Sequence, residues 1–274
     1  MAAIRRSAPL AGEIVDTCRS HWSQPRRELR RIQRQLAGVP RHRRGPITIF
    51  GKPTTYVDAH TFFTMYEDAF VTKANDFVCD SGEPVILDCG ANIGLTVLRY
   101  KQLYPRATIK AFEPDPAICE CLRANVASWG LTDVEVVQAA VWIHNDGIHF
   151  DADGSTGGSI RDGKGTFVPS VRLKDLIDRP VDFLKLDIEG AESAVIPDCG
   201  DLFSNVDAMI IEWHMRAGQP RTLGRSLEVL AEAGHRYFVH DCWPVEVRTQ
   251  WAWPADALEQ ILAIHSRRMP LSRP

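Results

Sequence analysis

The most constraining feature of the chain is an alternation between residues 85 and 240, where short apolar runs are followed by longer stretches of helical spacing. The apolar runs start at Val85, Thr108, Val134, Asp182, Val206 and His235. The helical stretches cover 94–104, 116–129, a segment from 191, and 222–233. Strands that alternate with helices form a mostly parallel sheet with helices on both faces. The sequence therefore predicts an α/β fold built on such a sheet.

Three segments add to this alternation. The third apolar run, from Val134 to Val141, predicts one continuous strand. The glycine-rich stretch 153–165 lies between the third and fourth runs, and its length and composition predict a lid or a binding loop. Residues 243–253, which include three tryptophans, predict an antiparallel edge strand beyond the sixth run.

The amino-terminal part of the chain differs from the rest in charge. Residues 1–52 contain twelve Lys and Arg residues and three acidic ones, which gives this part a charge of +9. The net charge of the chain is −3, so residues 53–274 carry −12. Leu29, Ile32 and Leu36 recur at helical spacing among arginines, which predicts an amphipathic helix docked on the body or on a second copy of the chain. Binding of nucleic acid by this basic arm is the less favoured alternative. We expect a helical arm over 1–52 and a main domain over 53–274.

Composition restricts the class of protein. Hydrophobic residues make up 45% of the chain and charged residues 24%, as in ordinary globular proteins. No run of about 18 apolar residues is present, so a membrane span is not expected. The seven cysteines are scattered without a CxxC pair, which predicts neither a disulfide framework nor a zinc site. A reducing cytoplasm fits this pattern best.

A glycine turn follows the first predicted strand, in the segment Asp88-Cys-Gly-Ala-Asn-Ile-Gly94. Glycines let a backbone turn tightly and approach a ligand without a clash at Cβ. The dinucleotide fingerprint requires two further glycines, but Asn92 and Leu95 occupy those positions. No Gly-Lys-Ser/Thr sequence follows, so the P-loop pattern is also absent.

Two acidic residues flank this turn in the predicted fold. Asp88 ends the first strand, and Glu113 ends the second strand 25 residues later. A carboxylate at Asp88 would repel a pyrophosphate but attract a cationic ligand. A carboxylate at Glu113 can accept both hydroxyls of a ribose. The pair therefore fits an adenosine with a positively charged tail, such as S-adenosylmethionine.

The motifs VILDCGANIG, AFEPDP, VVQAAV, VDFLKLDIEGAE and IIEWH occur in this order across the predicted sheet. In motif and spacing, residues 56–240 resemble the FkbM family of S-adenosylmethionine-dependent methyltransferases. The resemblance implies a class I, Rossmann-like fold with seven strands, and O-methylation of a hydroxyl on a sugar, polyketide or other natural product. The implied cofactor site comprises Asp88, Gly90, Asn92, Gly94, Thr96, Glu113, Pro114 and Asp187, with Ala140 and Val141 against the adenine. Tyr66 belongs to an aromatic segment that could roof this site.

The fourth and fifth strands end in titratable residues. Lys185, Asp187 and Glu189 share one face of an extended chain, and Glu212 and His214 end the neighbouring strand. Such a cluster at the carboxyl edge of a sheet is where acid–base chemistry is expected. His214 is the first candidate for the base, because an ordinary imidazole pKa of about 6.5 leaves it half-neutral near pH 7. Glu189 or Asp187 would hold the base or accept a hydrogen bond from the substrate.

Two alternatives for this cluster stay open. Lys185 is either a catalytic group or a cation that pairs with Asp187 or Glu189 and only shapes the pocket. Asp187, Glu189, Glu212 and His214 are also oxygen and imidazole ligands that suit Mg²⁺ or Mn²⁺, so a divalent metal is a secondary hypothesis.

The sequence thus predicts a cytoplasmic S-adenosylmethionine-dependent O-methyltransferase that acts on a hydroxyl of a small metabolite. The turn Asp-Ile-Glu-Gly after the fourth strand differs from the Asp/Asn-Pro-Pro-Tyr/Phe turn of enzymes that methylate the amines of bases, which disfavours a nucleic-acid substrate. The alternatives are an RNA methyltransferase guided by the arginine-rich arm and a non-catalytic, cofactor-binding partner subunit. A homodimer held by the arm is a further expectation.

Overall fold

The computed structural model describes residues 25–151, 159–160, 165–215, 222–241 and 260–268. The α-helices are α1 (Pro25–Leu36), α2 (Ala59–Tyr66), α3 (Leu95–Leu103), α4 (Pro116–Trp129), α5 (Glu192–Cys199) and α6 (Leu223–Glu232). A π-helical segment, Glu67–Thr72, extends α2, and short 3₁₀ segments cover Leu173–Asp175 and Gly200–Asn205. Most of the predicted glycine-rich loop and the predicted edge strand 243–253 lie outside the described residues.

Fourteen strands belong to the described residues. They are β1 (Gly45–Ile49), β2 (Lys52–Tyr56), β3 (Val85–Cys89), β4 (Thr108–Phe112), β5 (Val134–Val137), β6 (Ala140–Trp142), β7 (Ile148–Asp151), β8 (Ser159–Ile160), β9 (Thr166–Val168), β10 (Ser170–Arg172), β11 (Val181–Leu186), β12 (Val206–Met215), β13 (His235–Asp241) and β14 (Gln260–Arg268). The order in the main sheet is β13-β14-β12-β11-β3-β4-β5. Strand β14 is antiparallel to both of its neighbours, whereas the pairs from β12 to β5 are parallel. The prediction of a seven-stranded, mostly parallel, Rossmann-like sheet is confirmed.

One detail of the sheet differs from the sequence-based expectation. The run 134–141 is not one strand, because Ala139 N–H donates to Val137 O and turns the chain after β5. Strand β6 then pairs with β10 in a separate two-stranded sheet. The main sheet also contains an antiparallel strand at Gln260–Arg268, which lies between β12 and β13, while the expected edge strand at 243–253 stays a prediction.

Helices pack against both faces of the sheet because successive strand residues point to opposite sides. On one side, Leu87, Leu184 and Ile211 pack with residues of α5 and α6. On the other side, Ile86, Phe183 and Ile210 pack with residues of α3 and α4. This arrangement leaves the carboxyl ends of β3, β4, β11 and β12 at one edge of the sheet.

The amino-terminal helix α1 docks on the main domain. Ile32 and Leu36 are buried in a cluster with Phe62 and Tyr66 of α2 and with Ile93, next to the glycine turn. The predicted docking of an amphipathic helix on the body is thereby confirmed. The hairpin of β1 and β2 spans the boundary placed at residue 52, and the division of the chain at that residue stays a prediction. Among the described residues, no helix has both the length and the apolar character that a membrane crossing requires.

Candidate active site

The glycine turn after β3 passes directly over the end of β11. Gly90 has φ +87°, and a Cβ placed on it would lie 1.8 Å from the carbonyl oxygen of Asp187. The backbone N–H of Gly90 donates to Phe112 O at 3.1 Å, and Asp187 N–H donates to Cys89 O at 3.0 Å. Only glycine fits Gly90's position, because any side chain would collide with backbone that cannot move away. The turn is therefore fixed between the ends of β4 and β11.

Gly94 ends the turn and precedes α3. Its φ of +92° is a left-handed conformation, and a Cβ there would approach Leu122 Cδ1 at 2.6 Å. Asn92 also has a positive φ, of +48°, and its side chain Oδ1 accepts from the N–H of Ile93 at 2.8 Å. The N–H groups of the turn are thus bonded within the protein, that of Asn92 to Glu113 and that of Gly94 to Ala91 O.

Asp88 is fully buried at the end of β3. Its Oδ2 accepts a hydrogen bond from the hydroxyl of Thr96 at 2.5 Å. Its Oδ1 lies 3.6 Å from Lys185 Nζ and has no hydrogen-bond partner among the described residues. The Thr96 side chain therefore orients Asp88, and one carboxylate oxygen keeps capacity for a further donor.

Glu113 holds the other side of the same turn. Its Oε2 accepts from the backbone N–H of Asn92 at 3.0 Å, and its Oε1 accepts from that of Asp115 at 2.9 Å. Burial raises the pKa of Glu113 to about 8, although these backbone donors oppose the shift. The predicted placement of Asp88 and Glu113 around one glycine turn agrees with the structure. Pro114, which follows Glu113, is half-buried beside them.

The three remaining predicted cofactor residues lie in apolar surroundings. Ala140 and Val141 are buried in β6, at the point where the chain leaves the main sheet after β5. Tyr66 is buried, and its ring packs against Phe62 and Phe70. The Tyr66 hydroxyl has no hydrogen-bond partner among the described residues, and burial raises its pKa. Among the described residues, Tyr66 makes no hydrogen bond or ion pair with Asp88 or Glu113. Its role in cofactor binding therefore stays a prediction.

Lys185 connects the turn to the end of β11. Its ammonium donates to Gly90 O at 2.9 Å and to Asp187 Oδ2 at 3.0 Å. Burial alone would lower the pKa of Lys185, but the charges of Asp187 and Asp88 outweigh burial and raise it. Lys185 is therefore a fixed cation that pairs with the carboxylates on both sides.

His214, at the end of β12, faces a group of carboxylates. Its Nε2 lies 4.0 Å from Asp187, 3.6 Å from Glu189 and 3.8 Å from Glu212, while its Nδ1 lies 3.3 Å from Glu192. The structure therefore brings together Lys185, Asp187, Glu189 and His214, the four predicted catalytic residues.

The charge state of His214 differs from the sequence-based expectation. Burial alone would lower its pKa, but the hydrogen bond to Glu192 and the surrounding carboxylates outweigh burial and raise the pKa to about 10. The imidazole is thus mostly protonated at neutral pH, and the expected half-neutral state is wrong. The sequence could not show this, because the carboxylates gather around His214 only in the folded chain.

The pKa of Glu212, which faces His214, is also raised. The charge of Asp187 together with burial raises the pKa of Glu212 to about 8, although His214 and Lys185 oppose the shift. A carboxyl group with this pKa exchanges its proton close to neutral pH. Glu212 therefore suits proton transfer better than an ordinary carboxylate does.

The match to known families identifies the chain. The sequence-family model described as the methyltransferase FkbM domain matches residues 88–237, which are more than half of the chain. The chain belongs to the FkbM methyltransferase family. The resemblance drawn from the sequence motifs is thereby confirmed, and the glycine turn and the acidic cluster both lie inside the matched segment.

Curated relatives of this FkbM methyltransferase include two with informative names. The methyltransferase sdnD of Sordaria araneosa is 37% identical over 78 residues, which are 28% of this chain and 30% of the relative. The 2-O-methyltransferase NoeI of Sinorhizobium fredii (strain NBRC 101917 / NGR234) is 31% identical over 139 residues, 42% of this chain and 56% of the relative. The matches thus span about half or less of the length of these relatives. Among solved structures, the methyltransferase FkbM from Methylobacillus flagellatus KT is similar with a TM-score of 0.45 and 13% identity, covering 75% of this chain and 54% of that one.

One residue that contacts the acidic cluster of this FkbM methyltransferase is not singled out by the sequence patterns. Glu192, the first residue of α5, is fully buried and contacts the His214 ring. An acidic residue in a first helical turn is a recognisable signal for binding backbone N–H groups there. The contact with His214 joins residues that are 22 positions apart in the sequence, and no local pattern predicts it.

The hypothesis of a divalent metal finds little support. Asp187, Glu212 and His214 place potential ligand atoms within 4.8 Å of one another. However, the ammonium of Lys185 is already bonded to Asp187, and His214 is itself a cation beside Glu212. These residues fit a metal ion poorly, because the charge that a metal would supply is present in the side chains.

The buried ion pairs of Lys185 generate a prediction about stability. Replacing Lys185 with methionine leaves Asp88 and Asp187 without their cation, and removing one partner of a buried pair costs about 3–5 kcal/mol. Urea unfolding followed by circular dichroism measures this loss. Lys110→Met is the matched control, because Lys110 pairs with Glu135 at a side-chain exposure of 34% and its loss should cost under about 1 kcal/mol. Equal, small effects of both changes would show that Lys185 does not hold this edge together.

Proposed function

We propose that the protein transfers a methyl group from S-adenosylmethionine to a hydroxyl of a small metabolite. The observation that carries this proposal is the position of Lys185, whose Nζ contacts both Gly90 O in the glycine turn and Asp187 Oδ2 in the acidic cluster. A ligand held by the turn would therefore present its reactive end to His214 and the carboxylates around it. Membership of a methyltransferase family supports the same reaction.

The residues of the turn suit the proposed cofactor. Asp88 offers a buried carboxylate oxygen without a hydrogen-bond partner among the described residues, and a negative group here favours a cationic ligand. The Glu113 carboxylate keeps acceptor capacity for ribose hydroxyls, because each oxygen accepts only one described hydrogen bond. When bound, S-adenosylmethionine supplies an activated methyl group on a positively charged sulfur. Asn92, Gly94 and the N-terminus of α3 would complete the cradle.

The acidic cluster can orient a hydroxyl and take its proton. We assign the base to Glu212, because its pKa of about 8 lies close to neutral pH. His214 donates from Nε2 to the oxygen as negative charge develops there, and Asp187 and Glu189 keep the imidazole protonated. Alignment of the hydroxyl with the methyl group supplies much of the remaining acceleration.

A hydroxyl acceptor is favoured by the relatives and by the charge of the site. NoeI is named as a 2-O-methyltransferase, which supports oxygen as the atom that this chain methylates. Carboxylates at the mouth of the site would repel a phosphorylated or polyanionic acceptor. A neutral polyol or sugar therefore fits better than RNA. A cytoplasmic location and a homodimer stay predictions.

One observation keeps RNA as a second candidate. Arg26, Arg27, Arg30 and Arg34 of α1 are exposed on the outer side of the docked helix. A basic helix face of this kind contacts phosphates in many nucleic-acid-binding proteins. Filter binding decides this point, because RNA retention that falls steeply with salt would support the RNA enzyme, whereas no retention supports the metabolite enzyme.

Calorimetry tests the cofactor site. We expect S-adenosylhomocysteine to bind the wild-type protein, and Asp88→Asn and Glu113→Gln each to weaken binding by about tenfold or more, since each replaces one oxygen that can accept a hydrogen bond with an amide NH₂ group that cannot. Glu120→Gln, an exposed change on α4, is the matched control and should leave the affinity unchanged. Wild-type affinity in both site variants would show that the ligand binds elsewhere.

Transfer of labelled methyl groups tests the reaction itself. The protein is incubated with methyl-labelled S-adenosylmethionine and a panel of sugars and polyols, and product hydroxyls are identified by mass spectrometry. His214→Ala should lower turnover by about 10²-fold or more, because it removes a preorganised donor to the developing oxyanion. Label on an amine or on RNA, with none on a hydroxyl, would refute O-methylation. An unchanged rate in His214→Ala would refute the role of this residue.

The pH dependence follows from the raised pKa of Glu212. A base with a pKa of about 8 is protonated and inactive below that pH, so kcat should rise as pH increases through about 8. Glu212→Gln should remove this rise, whereas Glu228→Gln, an exposed change on α6, should retain it. A rise that persists in Glu212→Gln would assign the proton transfer to another group.

A further inference from the structure

Glu192 makes an unusual set of contacts for a residue that the proposed reaction does not use directly. Its Oε1 accepts a hydrogen bond from the backbone N–H of Ile188 at 2.9 Å, and its Oε2 accepts from that of Gly190 at 2.9 Å. The same Oε1 lies 3.3 Å from Nδ1 of His214. The side chain is fully buried and both carboxylate oxygens already accept backbone hydrogen bonds, so Glu192 is not placed to bind a substrate itself. Any effect of Glu192 on catalysis must therefore pass through its neighbours.

The first neighbour is the turn between β11 and α5. Glu189 has φ +59° and Gly190 has φ +99°, and a left-handed conformation is uncommon for a residue with a side chain. Glu192 binds the backbone N–H groups on both sides of Glu189 and thereby stabilises this conformation. The turn brings the Glu189 carboxylate to 3.6 Å from His214 Nε2.

The second neighbour is the His214 ring. With Nδ1 bound to Glu192, Nε2 faces Asp187, Glu189 and Glu212, at distances of 4.0, 3.6 and 3.8 Å. A carboxylate on one ring nitrogen keeps a proton there and fixes the direction in which the other nitrogen points. Without Glu192, the ring could rotate, and either nitrogen could carry the proton.

We propose that Glu192 is the positioning residue of the active site: it holds the Nδ1–H of His214 and the turn that carries Glu189, so that Nε2–H points at the acceptor hydroxyl. This role rests on the proposed function, because it assumes that His214 acts on an acceptor. Partners that orient a functional histidine in this way commonly contribute about 10- to 100-fold to activity.

The test compares Glu192→Gln with a matched control, Asp58→Asn. Asp58 is also a fully buried carboxylate, and it accepts from the backbone N–H groups of Thr61 and His42 and from Arg41, none of which belongs to the glycine turn or the acidic cluster. Both changes keep side-chain volume and remove a buried charge. Both variants should therefore lose stability in a similar way, but only Glu192→Gln changes a residue that contacts His214.

Two measurements are made on each variant. We expect Glu192→Gln to lower kcat by about 10- to 100-fold while the affinity for S-adenosylhomocysteine changes by less than about threefold. ¹⁵N NMR of the His214 ring at pH 7.5, without any substrate, should show two protonated nitrogens in the wild type and in Asp58→Asn. In Glu192→Gln the ring signals should move toward those of a neutral imidazole.

The outcomes separate the positioning role from the proposed function. Ring signals and kcat that match the wild type in Glu192→Gln would overturn the proposal, as would an equal loss of kcat in Asp58→Asn. If the wild type transfers no methyl group, the proposed function fails while the ring signals still decide whether Glu192 holds His214.

If Glu192→Gln does not fold, hydrogen exchange of the His214 ring protons in the wild type tests the positioning role instead. Slow exchange of Nδ1–H and faster exchange of Nε2–H support the role, and fast exchange of both protons refutes it.

Discussion

The contact between Gly90 and the backbone of Asp187 is the constraint on which the active edge depends. A single methyl group at Gly90 would lie 1.8 Å from the Asp187 carbonyl oxygen, so the turn after β3 and the end of β11 can approach this closely only through glycine. The same approach brings Gly90 O within 2.9 Å of Lys185 Nζ. Two strands that are neighbours in the sheet thereby become one rigid unit at their carboxyl ends, where the ligands of α/β sheets bind.

Electrostatics then determine what this unit can bind. Asp88, Asp187 and Glu212 are arranged around the cation of Lys185, and His214 is a second cation among carboxylates. Asp88 and Asp187 both lie close to the ammonium of Lys185, which offsets the cost of removing these charges from water. The edge of the sheet combines a negative surface for a positively charged ligand with a carboxyl group, Glu212, that releases its proton near neutral pH. An uncharged hydroxyl acceptor is compatible with both features.

The sequence predicted those parts of the fold and site that depend on local patterns. The strands that begin at or next to Val85, Thr108 and Asp182 and the helix Pro116–Trp129 follow from apolar periodicity and from proline and glycine at helix ends. The placement of Asp88 and Glu113 followed from the ends of adjacent parallel strands. The interior position of β14, the break after Val137 and the charge of His214 depend on contacts between distant segments, and no local pattern encodes them. For the same reason the motif VDFLKLDIEGAE contains Glu192 but does not indicate its contact with His214, which forms only in the folded chain.

A crystal structure of the protein with S-adenosylhomocysteine would show where the sulfur lies relative to the acidic cluster. We expect the ribose to contact Glu113 and the amino-acid tail to contact the glycine turn beside Asp88. We also expect the sulfur to face His214 across a space large enough for one hydroxyl group. A ligand bound away from the turn, or a sulfur directed away from His214 and Glu212, would show that this edge of the sheet is not the methyl-transfer site.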